Sequence, residues 1–266
     1  MKISFVGGGV MAEAIIGGML KEKMVDPTDI TVGEIVEGRR TYLKNQYSVE
    51  ALANNVTAAQ RGEIVVLAIK PQHLSAVMAD LRGKLSPQQA LLSIVAGARI
   101  DTLVQGMNHS SIIRVMPNTP AQIGAGMSVW TASPDVKSEA KQATGRILRS
   151  FGEELYVAEE KYLDMATALS ASGPAYVFTF IDALIDAGVF LGMPREMARS
   201  LVLQTVLGST ILAKQSGRHP GELRDMVTSP GGTTVEALLK LEEGAFKATI
   251  IRAVLAAYQK SRALGA

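Results

Sequence analysis

The stretch KISFVGGGVMAEAIIGGML, Lys2 to Leu20, constrains the fold more than any other part of the chain, because a short apolar run passes into a glycine turn and then into a helical pattern. Ile3, Phe5 and Val6 read as a buried first strand, and Gly7, Gly9 and Ala12 fill the G-x-G-x-x-G/A positions of a dinucleotide-binding turn. Each position has a mechanical task. Gly7 permits the tight turn, Gly9 lets the main chain approach a pyrophosphate, and small Ala12 lets the helix lie close to the sheet. The helix N-terminus, with its unpaired amides, then faces the phosphates. This order predicts bound NAD or NADP, with Gly8 either a contact or a structural spare in the turn.

The rest of the N-terminal half continues in the same manner. Asp29–Ile35, Glu63–Pro71, Ala90–Gly97, Ser111–Pro120, Met127–Ser133 and Glu153–Glu159 read as strands, and His73–Arg82 and Ser138–Ser150 as helices between them. Alternation of this kind predicts an α/β, doubly wound Rossmann domain over residues 1–160. From residue 161 to 266 the strand signal fades and apolar residues recur at i, i+3 and i+4, which predicts an all-helical second domain. Gly192-Met193-Pro194 and His219-Pro220-Gly221 punctuate it as helix boundaries. A chain of 266 residues is long enough for two such cores.

Composition narrows the function. Hydrophobic residues make up 47% of the chain and the mean hydropathy is +0.19, so apolar surface is expected to be buried between subunits of an oligomer. A formal charge of +2, with dispersed Lys and Arg, argues against nucleic acid and against a polybasic membrane patch. The absence of cysteine removes disulfides and a thiolate nucleophile, and three scattered histidines do not make a zinc site. No basic region followed by an apolar core and cleavage site opens the chain, so a cytoplasmic location is expected. Met165–Ile181 is apolar but contains Ser170, Ser172, Gly173 and Pro174, falls short of the roughly 20 residues a bilayer requires, and reads as a helix buried in protein.

Parallel sheets bind ligands beyond the carboxyl ends of their strands, so the loops there are the places to search. In AIKP, Lys70 stands at a strand end, either meeting a phosphate or nicotinamide or lying free on the surface. IVAG, Ile94 to Gly97, offers small residues on which a nicotinamide ring could lie, or simple strand-end packing. In MPNTP, Asn118 either points at the ligand or bonds its own loop. In the helical half, DMVTSPGGTTVEALLKLE delivers Ser-Pro-Gly-Gly-Thr-Thr onto a helix N-terminus, whose amides suit a small carboxylate. Thr233 either serves that ligand or caps the helix in a capping box with Glu236, which leaves Thr234 as the freer hydroxyl.

Taken together, FVGGGVMAEAI, AIKP, RVMPNTP, LSASGPAYVF and DMVTSPGGTTVEAL resemble the pyrroline-5-carboxylate reductases over nearly the whole chain. The resemblance implies NADPH or NADH as donor, 1-pyrroline-5-carboxylate and L-proline as substrate and product, a helical domain that dimerises by interleaving, and dimers assembling into a decamer. It implies cofactor contacts at Val6, Gly7, Gly8, Gly9, Val10, Met11, Glu34 and Asn55, at Ala68, Ile69, Lys70 and Pro71, and at Ile94, Val95 and Ala96. It places substrate contacts at Glu160, Met226, Ser229, Gly231, Gly232, Thr233 and Thr234, with the Thr234 hydroxyl on the ring nitrogen as the catalytic group. Met226 departs from relatives with a polar side chain there, so only its backbone can be a polar contact. Glu34 departs from NADPH-preferring members with Ser or Asn followed by Arg.

An acidic residue after the second strand normally accepts hydrogen bonds from the adenosine ribose and repels a 2′-phosphate, which favours NADH. Arg39 and Arg40 either compensate by folding back toward a phosphate or stay as solvated helix charges; use of both cofactors is expected. Reduction of a cyclic C=N bond needs little acid–base machinery, and His73, His109 and His219 read as surface or capping residues. The alternatives are another imine reductase or a hydroxyacid dehydrogenase, and, from another class, a non-enzymatic NAD(P)H sensor. A hydroxyacid dehydrogenase of this build needs a lysine on the first interdomain helix, and Tyr162 to Pro194 contains none.

Overall fold

The computed structural model describes residues 1–264. Eight strands form one sheet: β1 (Ile3–Val6), β2 (Ile30–Gly33), β3 (Glu50–Leu52), β4 (Ile64–Leu67), β5 (Ala90–Ser93), β6 (Ile112–Met116), β7 (Gly126–Ala132) and β8 (Gly152–Tyr156). Their order is β3-β2-β1-β4-β5-β6-β7-β8, and the first six are parallel, the doubly wound arrangement. The helices α1 (Val10–Lys21), α2 (Glu37–Tyr47), α3 (Asn55–Ala59), α4 (Leu74–Leu81), α5 (Ile100–Met107) and α6 (Ser138–Arg149) connect these strands, and α7 (Lys161–Ala166) follows β8.

Burial on both faces explains the apolar runs. In β4, Ile64 and Val66 join the core with Phe5, Ile16 and Phe151, whereas Val65 and Leu67 join the opposite one with Leu81, Leu103 and Met107. Each large side chain so buried contributes about 1.5–3 kcal/mol. Strand β3 escaped the sequence reading because it is three residues long with an exposed first residue, too short for a period to register. Strand β7 runs antiparallel to β6 because Thr119–Ile123, a single 3₁₀ turn, links them, and a parallel return needs a longer crossover.

A five-residue π-helical segment, Thr167–Ala171, follows α7 and precedes α8 (Gly173–Phe190). The chain divides into two compact units, one of Met1–Ser172 with the chain from Ala257 onward, the other of Gly173–Ala256. The second unit contains α8, α9 (Arg195–Ser216), α10 (Pro220–Met226), α11 (Thr233–Glu243) and the start of α12 (Phe246–Leu264). Helices α8 and α9 approach closely where Gly188 meets Ala198, since a Cβ at 188 would lie 2.8 Å from that of Ala198.

Two expectations need correction. The apolar Met165–Ile181 stretch is not buried within its own chain: α8 buries only Ile185, and Val177, Phe178, Phe180 and Leu184 are exposed. Lys161–Phe190 is long and apolar enough to cross a membrane, by length and composition. Periodicity reports that a face wants cover but not whether the same chain supplies it. His109 is not a surface residue either, for it is buried with Nε2 3.0 Å from the Gln89 carbonyl oxygen. Burial holds its imidazole below the usual value of 6.5, against the opposing pull of that hydrogen bond.

Candidate functional site

The glycine turn is drawn against the neighbouring strand ends. The Gly7 amide donates to the Gly33 carbonyl at 2.8 Å, the Ala68 amide to the Val6 carbonyl at 2.9 Å, and the Ile94 amide to the Leu67 carbonyl at 3.1 Å. Gly7 has φ +97°, and a Cβ there would lie 2.6 Å from the Ala68 carbonyl oxygen, so only glycine allows β1 and β4 to end side by side. The predicted cofactor residues at Val6–Met11, Ala68–Pro71 and Ile94–Ala96 thus come from three adjacent strands. Gly9 is exposed and nothing lies within 4 Å of where its Cβ would be, so a ligand can approach the first amides of α1. Buried Ala12 lets α1 lie on the sheet. Lys70 is exposed at the start of the Pro71–His73 3₁₀ turn, where its carbonyl accepts from the His73 amide at 3.0 Å and its ammonium makes no hydrogen bond among the described residues.

Glu34 follows β2 with both carboxylate oxygens already engaged, Oε2 accepting from the Gly8 amide at 2.9 Å and Oε1 from the Val36 amide at 2.8 Å. The two arginines are not free helix charges. Arg40 Nη1 donates to the carbonyls of Glu34 and Ile35, each at 2.8 Å, which brings a guanidinium to the end of β2. Arg39 Nε donates to the Gly8 carbonyl at 2.6 Å while its guanidinium pairs with Glu13 and stacks 4.9 Å from the Tyr42 ring centre. Burial alone would raise the Glu13 pKa, but hydrogen bonds from Arg39, Tyr42 and Tyr47 outweigh it and hold the carboxyl below 4.5. Burial and the Glu13 carboxylate push the Tyr47 phenol up to about 12. Arg39 is therefore committed to holding the turn, and Arg40 to the main chain at the end of β2.

These residues fit an adenosine dinucleotide. The Asn55 side-chain oxygen is buried without a partner among the described residues, next to Gly33 at the end of β2, where an orphaned acceptor invites a ligand hydroxyl. A hollow of about 520 Å³ along α1, bordered by Glu13, Gly17, Lys21, Tyr47 and Gln122, shares only Val10 with the predicted cofactor residues and is a different place.

Asn118 is bonded within the protein. Its oxygen accepts from the Met127 amide at 2.8 Å and its amide group faces the Ser170 carbonyl and hydroxyl, each at 3.4 Å, so it ties the MPNTP loop to the π-helical segment. Glu160, the residue before α7, receives the Ile100 amide at 2.9 Å and Arg114 Nη1 at 2.8 Å, both on Oε1. Arg114 and Asp164 were missed in the sequence, although a signal was present. An arginine inside the apolar run SIIRVM must be paired if the strand is buried, and Arg114 is 3% exposed with Nη2 3.1 Å from Asp164 Oδ1.

The other predicted substrate residues belong to the helical unit. Ser229 to Gly232 turn into α11, and Gly231 adopts φ +69°. A Cβ at Gly232 would lie 2.6 Å from Ser229 Oγ, so that glycine makes room for its own loop. The capping box is not formed: Gly232 is the N-cap and Thr233 the first helical residue, with no side-chain cap. Neither the Thr233 nor the Thr234 hydroxyl has a hydrogen-bond partner among the described residues, and Thr234 is half-buried. Met226 ends α10 with its sulfur 3.0 Å from Arg218 Nη1. His219 caps α10, its Nδ1 accepting from the Gly221 amide at 3.1 Å.

A doubly wound sheet whose glycine turn, acidic strand end and orphaned amide converge at the carboxyl edge defines a dinucleotide-dependent oxidoreductase. The N-terminal part, residues 2–97, matches the family described as NADP oxidoreductase, coenzyme F420-dependent, and residues 160–264 match the family described as pyrroline-5-carboxylate reductase dimerisation. The chain belongs to the pyrroline-5-carboxylate reductase family. It is 42% identical to the pyrroline-5-carboxylate reductase of a Synechocystis species over all of its own length and 98% of the relative's. Among solved structures, the Coxiella burnetii pyrroline-5-carboxylate reductase superposes with a TM-score of 0.92 at 32% identity, covering 100% of this chain and 98% of that one. The Plasmodium falciparum pyrroline carboxylate reductase with NADP bound gives 0.91 at 35% identity, with the same coverage.

Proposed function

We propose that this chain catalyses the NAD(P)H-dependent reduction of 1-pyrroline-5-carboxylate to L-proline, the last step of proline biosynthesis, in the cytoplasm. The observation that carries this reading is the presence, in one member of this family, of both the Gly7–Gly9 cleft with its orphaned Asn55 oxygen and the Ser229–Thr234 turn heading α11. When bound, the reduced nicotinamide supplies the hydride. In this reading Val6 to Met11 cradle the pyrophosphate, Glu34 and Asn55 take the adenosine ribose, and Ala68–Pro71 with Ile94–Ala96 hold the nicotinamide end. The main chain of Ser229 to Thr233 offers amides to the substrate carboxylate, and the Thr234 hydroxyl holds the ring nitrogen as it becomes an amine. Met226 contributes through its backbone. Glu160 has Oε1 in use, which leaves Oε2, on a side chain 29% exposed, free for the proposed substrate contact.

The functional division we propose is cofactor binding by residues 1–160 and dimerisation with substrate binding by 161–266; the family match beginning at residue 160 supports it. The exposed apolar faces of α8 and α9 support a homodimer in which two copies cover each other, with five dimers closing a decameric ring. Sedimentation of a stable monomer would overturn that assembly. The activity is tested by following NAD(P)H consumption with 1-pyrroline-5-carboxylate and with small 3-hydroxy acids. Turnover of the imine alone is expected; silence with every imine would leave a sensor.

Both NADPH and NADH are expected to serve, because the ribose is proposed to lie at Glu34, whose carbonyl Arg40 holds, so an acidic group and a guanidinium stand together at the end of β2. Glu34→Ser should shift the kcat/KM ratio toward NADPH by about tenfold, equivalent to roughly 1.4 kcal/mol. An unaltered ratio would mean that the ribose is read elsewhere.

A further inference from the structure

We infer that the last turn of α12, through Ser261 and the main chain of Leu264, positions the Ile94–Ile100 loop for reaction and acts as a brace behind the surface proposed to hold the nicotinamide. The inference rests on the reductase reading above. Two separate contacts carry it, and both lie within the first compact unit, to which the chain from Ala257 onward belongs.

The first contact is direct. Gly97 has φ +78°, and a Cβ there would lie 3.0 Å from the Leu264 carbonyl oxygen and 3.1 Å from the Leu264 Cβ. The second passes through side chains. Ser261 Oγ donates to Asp164 Oδ1 at 3.2 Å, the same oxygen accepts Arg114 Nη2 at 3.1 Å, and Arg114 Nη1 donates to Glu160 Oε1 at 2.8 Å. That Glu160 oxygen also receives the Ile100 amide at 2.9 Å. One helical turn therefore holds the loop at residue 97 by packing and at residue 100 by a relay of hydrogen bonds.

The character of the contact distinguishes positioning from general stabilisation. A helix end docked only for stability would bury its apolar side chains. Here Ser261 is the residue α12 buries among those described, whereas Leu264 remains 55% exposed and contributes main chain and Cβ. Hydride transfer demands close alignment, and a displacement of about 1 Å costs on the order of 100-fold in rate. A loop presenting backbone to a flat ring has few side chains of its own with which to set that distance, and the brace supplies the missing constraint.

The full-length protein tests this with Ser261→Ala, Ser261→Thr and Gly97→Ala, each measured for kcat, both KM values, Tm, and the isotope effect from cofactor deuterated at the transferred hydrogen. Ser261→Ala should lower kcat by about tenfold and enlarge the isotope effect, with the cofactor KM held within about twofold. Ser261→Thr, which keeps the hydroxyl, should restore most of the rate, and Gly97→Ala should reproduce the Ser261→Ala signature by pushing the loop from its other end. Wild-type kcat and isotope effect in Ser261→Ala, with or without a lower Tm, would reduce the contact to a structural one and overturn the inference. Should Ser261→Ala not fold, Gly97→Ala decides by the same measurements. A wild-type enzyme silent toward 1-pyrroline-5-carboxylate would remove the reductase reading itself, an outcome distinct from an indifferent variant of an active enzyme.

Discussion

Thr234→Ala is expected to lower kcat by roughly 10- to 100-fold while leaving the affinity for NAD(P)H within about twofold of wild type, since a hydrogen bond to a charged group contributes about 1.5–3 kcal/mol. Gly232, as N-cap, makes Thr233 and Thr234 the first two helical residues of α11, and neither hydroxyl is consumed by capping. Thr234 is half-buried and without a partner among the described residues, so its hydroxyl is available to a ring nitrogen. The residue lies in a different sequence region from every predicted cofactor contact, which is why cofactor binding should survive. Thr234→Ser, which retains the hydroxyl, should keep most of the activity. Steady-state rates with saturating 1-pyrroline-5-carboxylate, alongside cofactor titration by fluorescence, make the comparison; an unchanged kcat in Thr234→Ala would remove its proposed role.

Arg114→Leu should produce the largest loss of stability, about 3–5 kcal/mol, because it strands two carboxylates that share one cation. The Arg114 side chain is 4% exposed and reaches Glu160 at 2.8 Å and Asp164 at 3.1 Å. Asp164 is itself only 10% exposed, so solvent offers its charge little relief. The expected drop in Tm is on the order of 10 °C by calorimetry. Arg114→Lys should fall between, since an ammonium carries the charge but lacks the planar fork that serves both acids at once. A Tm for Arg114→Leu within a degree or two of wild type would mean that both carboxylates find other partners.

Much of the cofactor half was legible because its rules are local. Gly7 is glycine because the turn places it at φ +97° against the Ala68 carbonyl, and the Ile-Val-Val-Leu of β4 is apolar throughout because both of its faces are covered. A backbone angle or a period of burial leaves its mark within a few residues. Strand β3 was lost only because three residues are too few to show a period.

What the amino-acid order determined by itself was the doubly wound sheet, the glycine turn at its carboxyl edge, the helical C-terminal part and the family to which the chain belongs. Tertiary structure alone decided which polar groups meet: Arg39 was drawn to Gly8 and Glu13 while Arg40 closed on the end of β2, Asn118 was spent on Met127 and Ser170, and Ser261 reached Asp164 across 97 positions of sequence. The physical reason is that a buried ion or hydroxyl is satisfied by whatever partner packing brings within about 3 Å, and no local pattern encodes a neighbour so distant along the chain. The same holds for α8, whose apolar face announces that it must be covered but does not say by what.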